Sequence, residues 1–320
     1  MQKKLHHLFI AGLLSGVCLS AFSQPLAYVP NEKDGTVSVI DTTKDEVIRR
    51  FPAKGKLGKK VQAAAIHPGN QKLYVVVRDK NAVAVIDTVK GKQTNLIKVG
   101  DEPEGIDISP DGKLLAACLE EENAVALVDL QTSKVRHTIA TQGKNPEHCV
   151  FSPDQQWLLA SNEESNDVDV INLNTFKSEH LITATKHPRG IGFSPDGQWV
   201  YVANEAASLL EIVSTRDWKV QGNIKVGLRS NGVKVNADGS RIYVSNGGDH
   251  NISVIDSASR EIIATVAVGQ RPWNMALTPD GKKLYVANGR SNNVSVIDTE
   301  TNTRLKDITV GNLPWGVVIH

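Results

Sequence analysis

The 320-residue chain carries 36 Lys and Arg against 35 Asp and Glu, a formal charge of +1, which argues against a nucleic-acid binder working through general phosphate attraction. Its three cysteines are too few for a disulfide framework, and the length suffices for one large core or two small ones. The chain opens with Lys3 and Lys4, an apolar stretch from Leu8 to Phe22, and the small residues Ala21 and Ser23 ahead of Gln24. That is the pattern of an export signal cut after residue 23. The apolar run falls short of the ~20 residues that span a bilayer, and Cys18 lacks the small preceding residue a lipoprotein needs. Cleavage removes two lysines and leaves a mature charge of −1, with Cys118 and Cys149 as the remaining thiols. The expectation is a periplasmic or secreted protein of residues 24–320, without a membrane span, whose two cysteines are buried thiols unless export oxidises them.

From Leu26 onward one phrase recurs. It reads Val37-Ser-Val-Ile-Asp41, Val83-Ala-Val-Ile-Asp87, Val125-Ala-Leu-Val-Asp129, Val168-Asp-Val-Ile-Asn172, Leu210-Glu-Ile-Val-Ser214, Ile252-Ser-Val-Ile-Asp256 and Val294-Ser-Val-Ile-Asp298. Its last residues are spaced by 46, 42, 43, 42, 42 and 42 positions. Upstream of each copy lies a β-rich run such as Leu73-Tyr-Val-Val-Val77 or Leu284-Tyr-Val-Ala287, and before that a tight turn such as Ser109-Pro-Asp-Gly112, Ser194-Pro-Asp-Gly197 or Thr278-Pro-Asp-Gly281. Proline presets the turn, aspartate bonds nearby amides and glycine accepts positive φ. A fourth run such as Ile262-Ile-Ala-Thr-Val266 follows. Four short antiparallel strands in about 42 residues make the period of a propeller blade.

Counting strands gives the closure. The mature chain begins at the second strand type, Leu26-Ala-Tyr-Val29, and the missing first type appears at the C-terminus, Trp315 to Ile319. Pairing these two segments completes an all-β, seven-bladed β-propeller of four-stranded antiparallel blades, with the C-terminal strand in the N-terminal blade. It also removes an open edge. An open solenoid would need polar capping repeats, and none is present. At one innermost repeat position small residues recur, Ala63, Gly105, Gly190, Gly232 and Gly316, with His148 and Asn274 as exceptions.

These phrases, with Tyr201-Val-Ala-Asn204, Tyr285-Val-Ala-Asn288 and the spacer from Val268 to Pro279, resemble the YVTN family of β-propeller repeats over the whole mature chain. The last two blades are similar to the exported seven-repeat proteins associated with pyrroloquinoline-quinone-dependent (PQQ-dependent) alcohol catabolism. That resemblance implies an accessory or binding protein. Two departures stand out, the basic loop Lys54 to Lys60 and Ser214 in place of the phrase's aspartate.

Aligning the repeats on the turn puts one residue per blade at the channel entrance: Gln62, Glu104, Glu147, Arg189, Asn231, Trp273 and Trp315. Such uneven chemistry suits one asymmetric ligand, a small molecule or a partner protein, bound at this face. Trp273 and Trp315, on adjacent blades, are expected to form an aromatic wall or to cover the seam, with Arg189, Arg229 and Arg271 nearby to hold an anion. The runs Glu120 to Glu122 and Glu163-Glu164 read as an acidic arc attracting a cation or basic partner, or as solvated loops. His148, His187, Asp249 and His250 have no fixed zinc spacing, and no metal or cofactor is expected. Asp107 and Lys234 replace small or apolar residues on inner strands three blades apart, as an ion pair or the lining of a wet channel. The sequence has no haem-attachment motif, nucleophile elbow or phosphate loop. An exported binding propeller is therefore expected, the alternative being a propeller lactonase or lyase with Glu104, Glu147 and His148 as acid and base. A buried glutamate of raised pKa favours the enzyme, and a solvated ring favours binding. One exported relative in this repeat family contacts single-stranded nucleic acid, which the neutral charge argues against here.

Overall fold

The computed structural model describes residues 24–320, so the expected export signal, residues 1–23, lies outside the described residues. Seven four-stranded antiparallel sheets follow one another along the chain. Blade 1 is made from both ends of the chain, with strand order Val318–Ile319, Leu26–Asn31, Thr36–Asp41 and Glu46–Phe51. Blades 2 to 7 begin at Val61, Pro103, Pro146, Pro188, Ser230 and Pro272 and run outward strand by strand. Among the described residues no helix is long and apolar enough to cross a membrane.

The local chemistry of the repeat explains why the elements form. In Ser109-Pro-Asp-Gly112 the Asp111 carboxylate accepts from Ser109 Oγ and the Lys113 amide, and Ser109 Oγ accepts from the Leu114 amide. Gly112 has φ +72°, a region that disfavours side chains, and a Cβ there would stand 2.7 Å from the His67 ring. The phrase's terminal aspartate starts the next turn: Asp298 Oδ1 accepts from the amides of Glu300 and Thr301. Where Ser214 replaces it, Ser214 Oγ accepts from the Arg216 amide at 3.3 Å, so the weaker cap keeps the same turn.

In five of the seven blades the second strand ends on a buried asparagine that acts as a rivet. Asn288 donates to Asn293 Oδ1 and Ser295 Oγ, both at 2.9 Å, and Asn246 and Asn31 make the corresponding pairs of bonds in their own blades. The second strands themselves are almost wholly buried, because a blade is covered on both faces by its neighbours. Nearest the axis the blades crowd. A Cβ on Gly105 or Gly190 would lie 2.2 Å from the carbonyl oxygen of Glu147 or Asn231 in the following blade.

The closing strand is shorter than Trp315 to Ile319. Regular pairing covers Tyr28 with Val318 and Ala27 with Ile319, and a separate bridge joins Asn31 to Pro314. The cause is general to the fold: every inner strand shifts register near its start, as between Val61 and Ala64, and in blade 1 this bulge splits the short ladder. Backbone bonds extend the seam, Leu26 N to His320 O at 2.9 Å and Trp315 N to Pro30 O at 3.0 Å. Side chains lock it further: Asp34 accepts from the amide and side chain of Asn312, and Lys283 of blade 7 reaches Asp45 of blade 1 at 2.7 Å.

The basic loop is folded back rather than free. Leu57 is buried, its amide donates to Gly35 O, and the amides of Lys59 and Lys60 donate to Asp79 Oδ1. Cys118 and Cys149 are free, buried in one apolar cluster between blades 3 and 4, and burial pushes the Cys118 thiol up.

Two outcomes test this account. Removing residues 314–320 should strip the partner from Leu26–Asn31, lower the melting temperature and cause concentration-dependent aggregation in light scattering; an unchanged melt would mean the seam does not hold the ring. Asn288→Ala should cost about 1–3 kcal/mol in denaturant unfolding, because it leaves buried acceptors without a donor.

Candidate functional site

The seven entrance residues do form one ring, but most are not in water. Gln62, Glu104, Glu147 and Asn231 are all buried, and only Trp273, Trp315 and Arg189 are partly exposed. What covers them is a second ring, the residue that directly follows each second strand: Glu32, Arg78, Glu120, Glu163, Glu205, Gly247 and Gly289. Aligning the repeats one residue past the Tyr-Val-Ala-Asn motif would have found it. Arg78, Glu120 and Glu163 meet entrance residues of the following blade, whereas Glu205 and Gly289 meet Arg189 and Trp273 of their own.

The two rings join in an ion network. Arg78 of blade 2 donates to Glu102 and Glu104 of blade 3, both at 2.5 Å, and to Glu120. Arg189 of blade 5 donates to Glu147 and, at 3.1 Å, to Glu163 of blade 4, and at 2.9 Å to Glu205 of its own blade. Arg271 of blade 7 reaches past blade 6 to Glu205 at 2.8 Å. Between the two halves, carboxylate oxygens of Glu104, Glu120 and Glu147 lie within 4.8 Å of one another. Six carboxylates thus share three guanidiniums. Burial and the neighbouring glutamates push Glu104 well above the carboxylate range and Glu147 up to about 11, whereas hydrogen bonding and Arg189 hold the half-exposed Glu163 down at about 2.

This arrangement corrects several expectations. Arg189 and Arg271 are held by glutamates and do not wait for an anion; Arg229 is exposed at the rim with no side-chain partner among the described residues. Trp273 and Trp315 form no aromatic wall. Trp273 lies over Gly289, where a Cβ would be 2.5 Å from its ring, and Trp315 stacks on His148, ring centres 5.6 Å apart and planes 20° from parallel. That stack joins blades 1 and 4 across the axis. The acidic arc is divided: Glu120 and Glu163 belong to the network, while Glu121, Glu122 and Glu164 are exposed. His187 binds Glu163 at 3.0 Å, Asp249 accepts from the Leu228 amide, and these two do not converge with His148.

His148 is the neutral member of the site. Both ring nitrogens are buried without a hydrogen-bond partner, and Nδ1 lies 3.9 Å from Glu147 Oε2. Burial, with the Arg189 charge adding to it, pushes its pKa down to about 3.

Below the rings runs the central channel, with a volume of about 440 Å³. Glycines, alanines and branched residues make most of its wall, and His148, Asn274, Asp107 and Lys234 are its polar members. Asp107 and Lys234 do not form the expected ion pair. Asp107 instead accepts from the amides of Ile108 and, across the blade boundary, Phe151, both at 2.9 Å.

A sequence profile described as Lactonase, 7-bladed beta-propeller matches residues 220–313, and one described as Cytochrome D1 heme domain matches residues 23–148. Each covers less than half of the chain. No curated protein matches it. Among solved structures, Kuenenia stuttgartiensis hydrazine synthase is 23% identical with a TM-score of 0.75, over 90% of this chain and 99% of that one. A functionally unknown protein from Desulfotomaculum acetoxidans is 17% identical with a TM-score of 0.81, over 92% and 98%. The dihydro-heme d1 dehydrogenase NirN, in complex with DHE, is 18% identical with a TM-score of 0.69, over 92% of this chain and 74% of that one. The class these likenesses define is the seven-bladed β-propeller.

The neutral histidine has a measurable signature. The fold disfavours protonated His148, so the stability tied to it is complete above the unfolded histidine pKa of about 6.5 and drains as pH falls from there toward 3. His148→Phe keeps a ring against Trp315 without titrating. Its melting temperature relative to the parent should therefore be higher at pH 5 than at pH 8; an equal difference at both would mean that His148 is already charged in the fold.

Proposed function

We propose that this is an exported binding protein that receives a cationic small molecule at the channel-mouth face. The observation that carries the reading is the charge imbalance of the mouth, six carboxylates tied to three guanidiniums, with three carboxylates converging on one spot. A bound cation would replace the protons held there, and low-dielectric surroundings make that exchange strong. The guanidiniums cross-link the carboxylates and so preorganise the face. Export to the periplasm or beyond, and an accessory role beside PQQ-dependent alcohol oxidation, follow from the leader and from the YVTN resemblance, and belong to the same proposal. Calorimetry with putrescine and choline in buffers of different ionisation enthalpy tests it. Binding should release protons, and Glu104→Gln with Glu147→Gln should weaken it at least tenfold. Binding without proton release, or unaltered by the double variant, would remove the reading.

A second reading is acid–base catalysis on a lactone, and the mouth shows the feature expected of an enzyme, buried glutamates of raised pKa rather than a solvated ring: the proton-holding Glu147 stands beside the neutral His148. His148 would take a proton from water as it adds to the ring carbonyl, and Glu147 would give one to the departing ring oxygen. The partial lactonase match supports it. Hydrolysis of simple lactones, abolished by Glu147→Gln, would establish the enzyme, and absence of turnover would leave the binding protein.

The partial match to a haem domain raises a haem at the mouth. The residues do not fit one. His148 has a free imidazole, but its face is stacked on Trp315, and the mouth is filled by charged side chains in mutual contact rather than opening as a flat apolar slot. The excess of carboxylates would also repel the carboxylates of a haem.

A further inference from the structure

On the face opposite the mouth, where first strands turn into second and third into fourth, neighbouring blades are fastened by a second device. It pairs the residue that opens a second strand with the positive-φ residue of the third-to-fourth turn in the following blade. Trp157 of blade 4 meets Trp218 of blade 5 edge-on, ring centres 5.3 Å apart, and Trp199 of blade 5 carries the Arg260 guanidinium of blade 6 at 5.5 Å. Arg241 of blade 6 donates to Thr299 O at 2.8 Å and to Asn302 Oδ1 at 3.4 Å in blade 7, and Lys283 of blade 7 reaches Asp45 of blade 1 at 2.7 Å. In blade 2 the turn residue is Gly91, and the Phe51 ring of blade 1 lies over it.

Two junctions remain, Lys72 of blade 2 with Ser133 of blade 3, and Leu114 of blade 3 with Phe176 of blade 4. Among the described residues no hydrogen bond, ion pair or ring contact joins either couple. A cleft of about 980 Å³ lies there instead, larger than the central channel, with Lys72, Leu114 and Phe176 in its wall. Its apolar side is completed by Leu130, Phe151 and Leu173. Of its charged groups, Lys113 is paired with Asp111 at 2.9 Å, and Asp129 accepts from the amide and hydroxyl of Thr132. Lys72 and Arg136 are exposed at the rim, and their side chains have no hydrogen-bond or ion-pair partner among the described residues. The Arg136 guanidinium lies 5.9 Å from the centre of the half-buried Phe176 ring. The neighbouring junction shows what fills such a place. Trp218 holds in blade 5 the position of Phe176 in blade 4, and it is covered by Trp157, where blade 3 has only Leu114. The difference between leucine and tryptophan is room for a flat ring. An anionic substituent on that ring would also engage the uncommitted guanidinium.

We infer that this cleft is a binding site for a small aromatic carboxylate. Its ring lies against Phe176 in the place that Trp157 takes against Trp218, and its carboxylate is held by Arg136, with the Lys72 charge adding to the attraction. The site is on the opposite face from the cation site proposed at the mouth and does not depend on it.

The test is calorimetry of the mature chain with three probes: 2-naphthoate, its neutral counterpart 2-naphthol, and octanoate, an anion without a ring. Naphthoate should bind at least tenfold more tightly than either. Leu114→Trp gives this junction the residue that blade 4 carries at the equivalent position, so it should keep the parent's melting temperature and weaken naphthoate at least tenfold. Arg136→Met, at an exposed position with no ion pair to lose, is an independent second variant. It should weaken naphthoate at least tenfold and leave 2-naphthol unaltered. Lys306→Met, on the exposed outer strand of blade 7, should leave naphthoate binding unaltered. Equal affinity for naphthoate and octanoate, wild-type affinity in Arg136→Met or in folded Leu114→Trp, or no binding of naphthoate at millimolar concentration would each overturn the proposal, the last leaving an open, wet cleft.

Discussion

The molecule depends on a few hydrogen bonds between residues nearly three hundred positions apart. Tyr28 pairs with Val318 and Leu26 with His320, and these contacts decide whether seven sheets form a ring or a curved stack with two raw ends. The regular part of the closing ladder is only two residues long, Val318–Ile319. It is reinforced from both sides of the sheet, by Asp34 with Asn312 and by Asp45 with Lys283 and Tyr285. Such polar fastenings suit a seam better than a larger apolar one would, since they fix register as well as contact. Everything at the mouth and in the bore presupposes it, because each site draws residues from blades that only closure brings face to face.

The architecture was legible because the repeat restates its structural tasks from blade to blade. The turn joins first to second strand in six blades, a buried asparagine ends the second strand in five, and even a departure such as Ser214 fills the capping aspartate's role. The site was far less legible, for a physical reason. The entrance residues were identified one per blade, but their environment is set by the ring from Glu32 to Gly289, which a reading centred on the first strands passes over. Arg78 is the clearest loss: it follows an ordinary apolar strand and has nothing in its neighbourhood to mark it, yet it bridges three glutamates of the next blade. Glu120 was visible only as part of an acidic run, whose exposed members Glu121 and Glu122 disguised its burial. Trp273 was misjudged because its resting place, Gly289, is identified by the absence of a side chain.

The mouth and the bore divide the electrostatics between them. In the mouth, charges touch, with glutamates in excess of arginines. Ion pairs so far removed from water add little net stability, since desolvation offsets most of their attraction, and they hold geometry instead. In the bore the opposite holds: Asp107 is tied to two backbone amides, and Lys234 is exposed in the channel without a protein partner among the described residues. The sequence exceptions His148, Asn274, Asp107 and Lys234, scattered over four blades, are therefore one local feature in three dimensions.

The stack of Trp315 on His148 has a topological consequence. The indole belongs to the terminal segment and the imidazole to the far side of the ring, so one aromatic contact ties the chain's own suture to a blade opposite it. Any event that unpicks the suture also breaks a contact spanning the circle, and loosening at the chain's end is felt on the ring's far side.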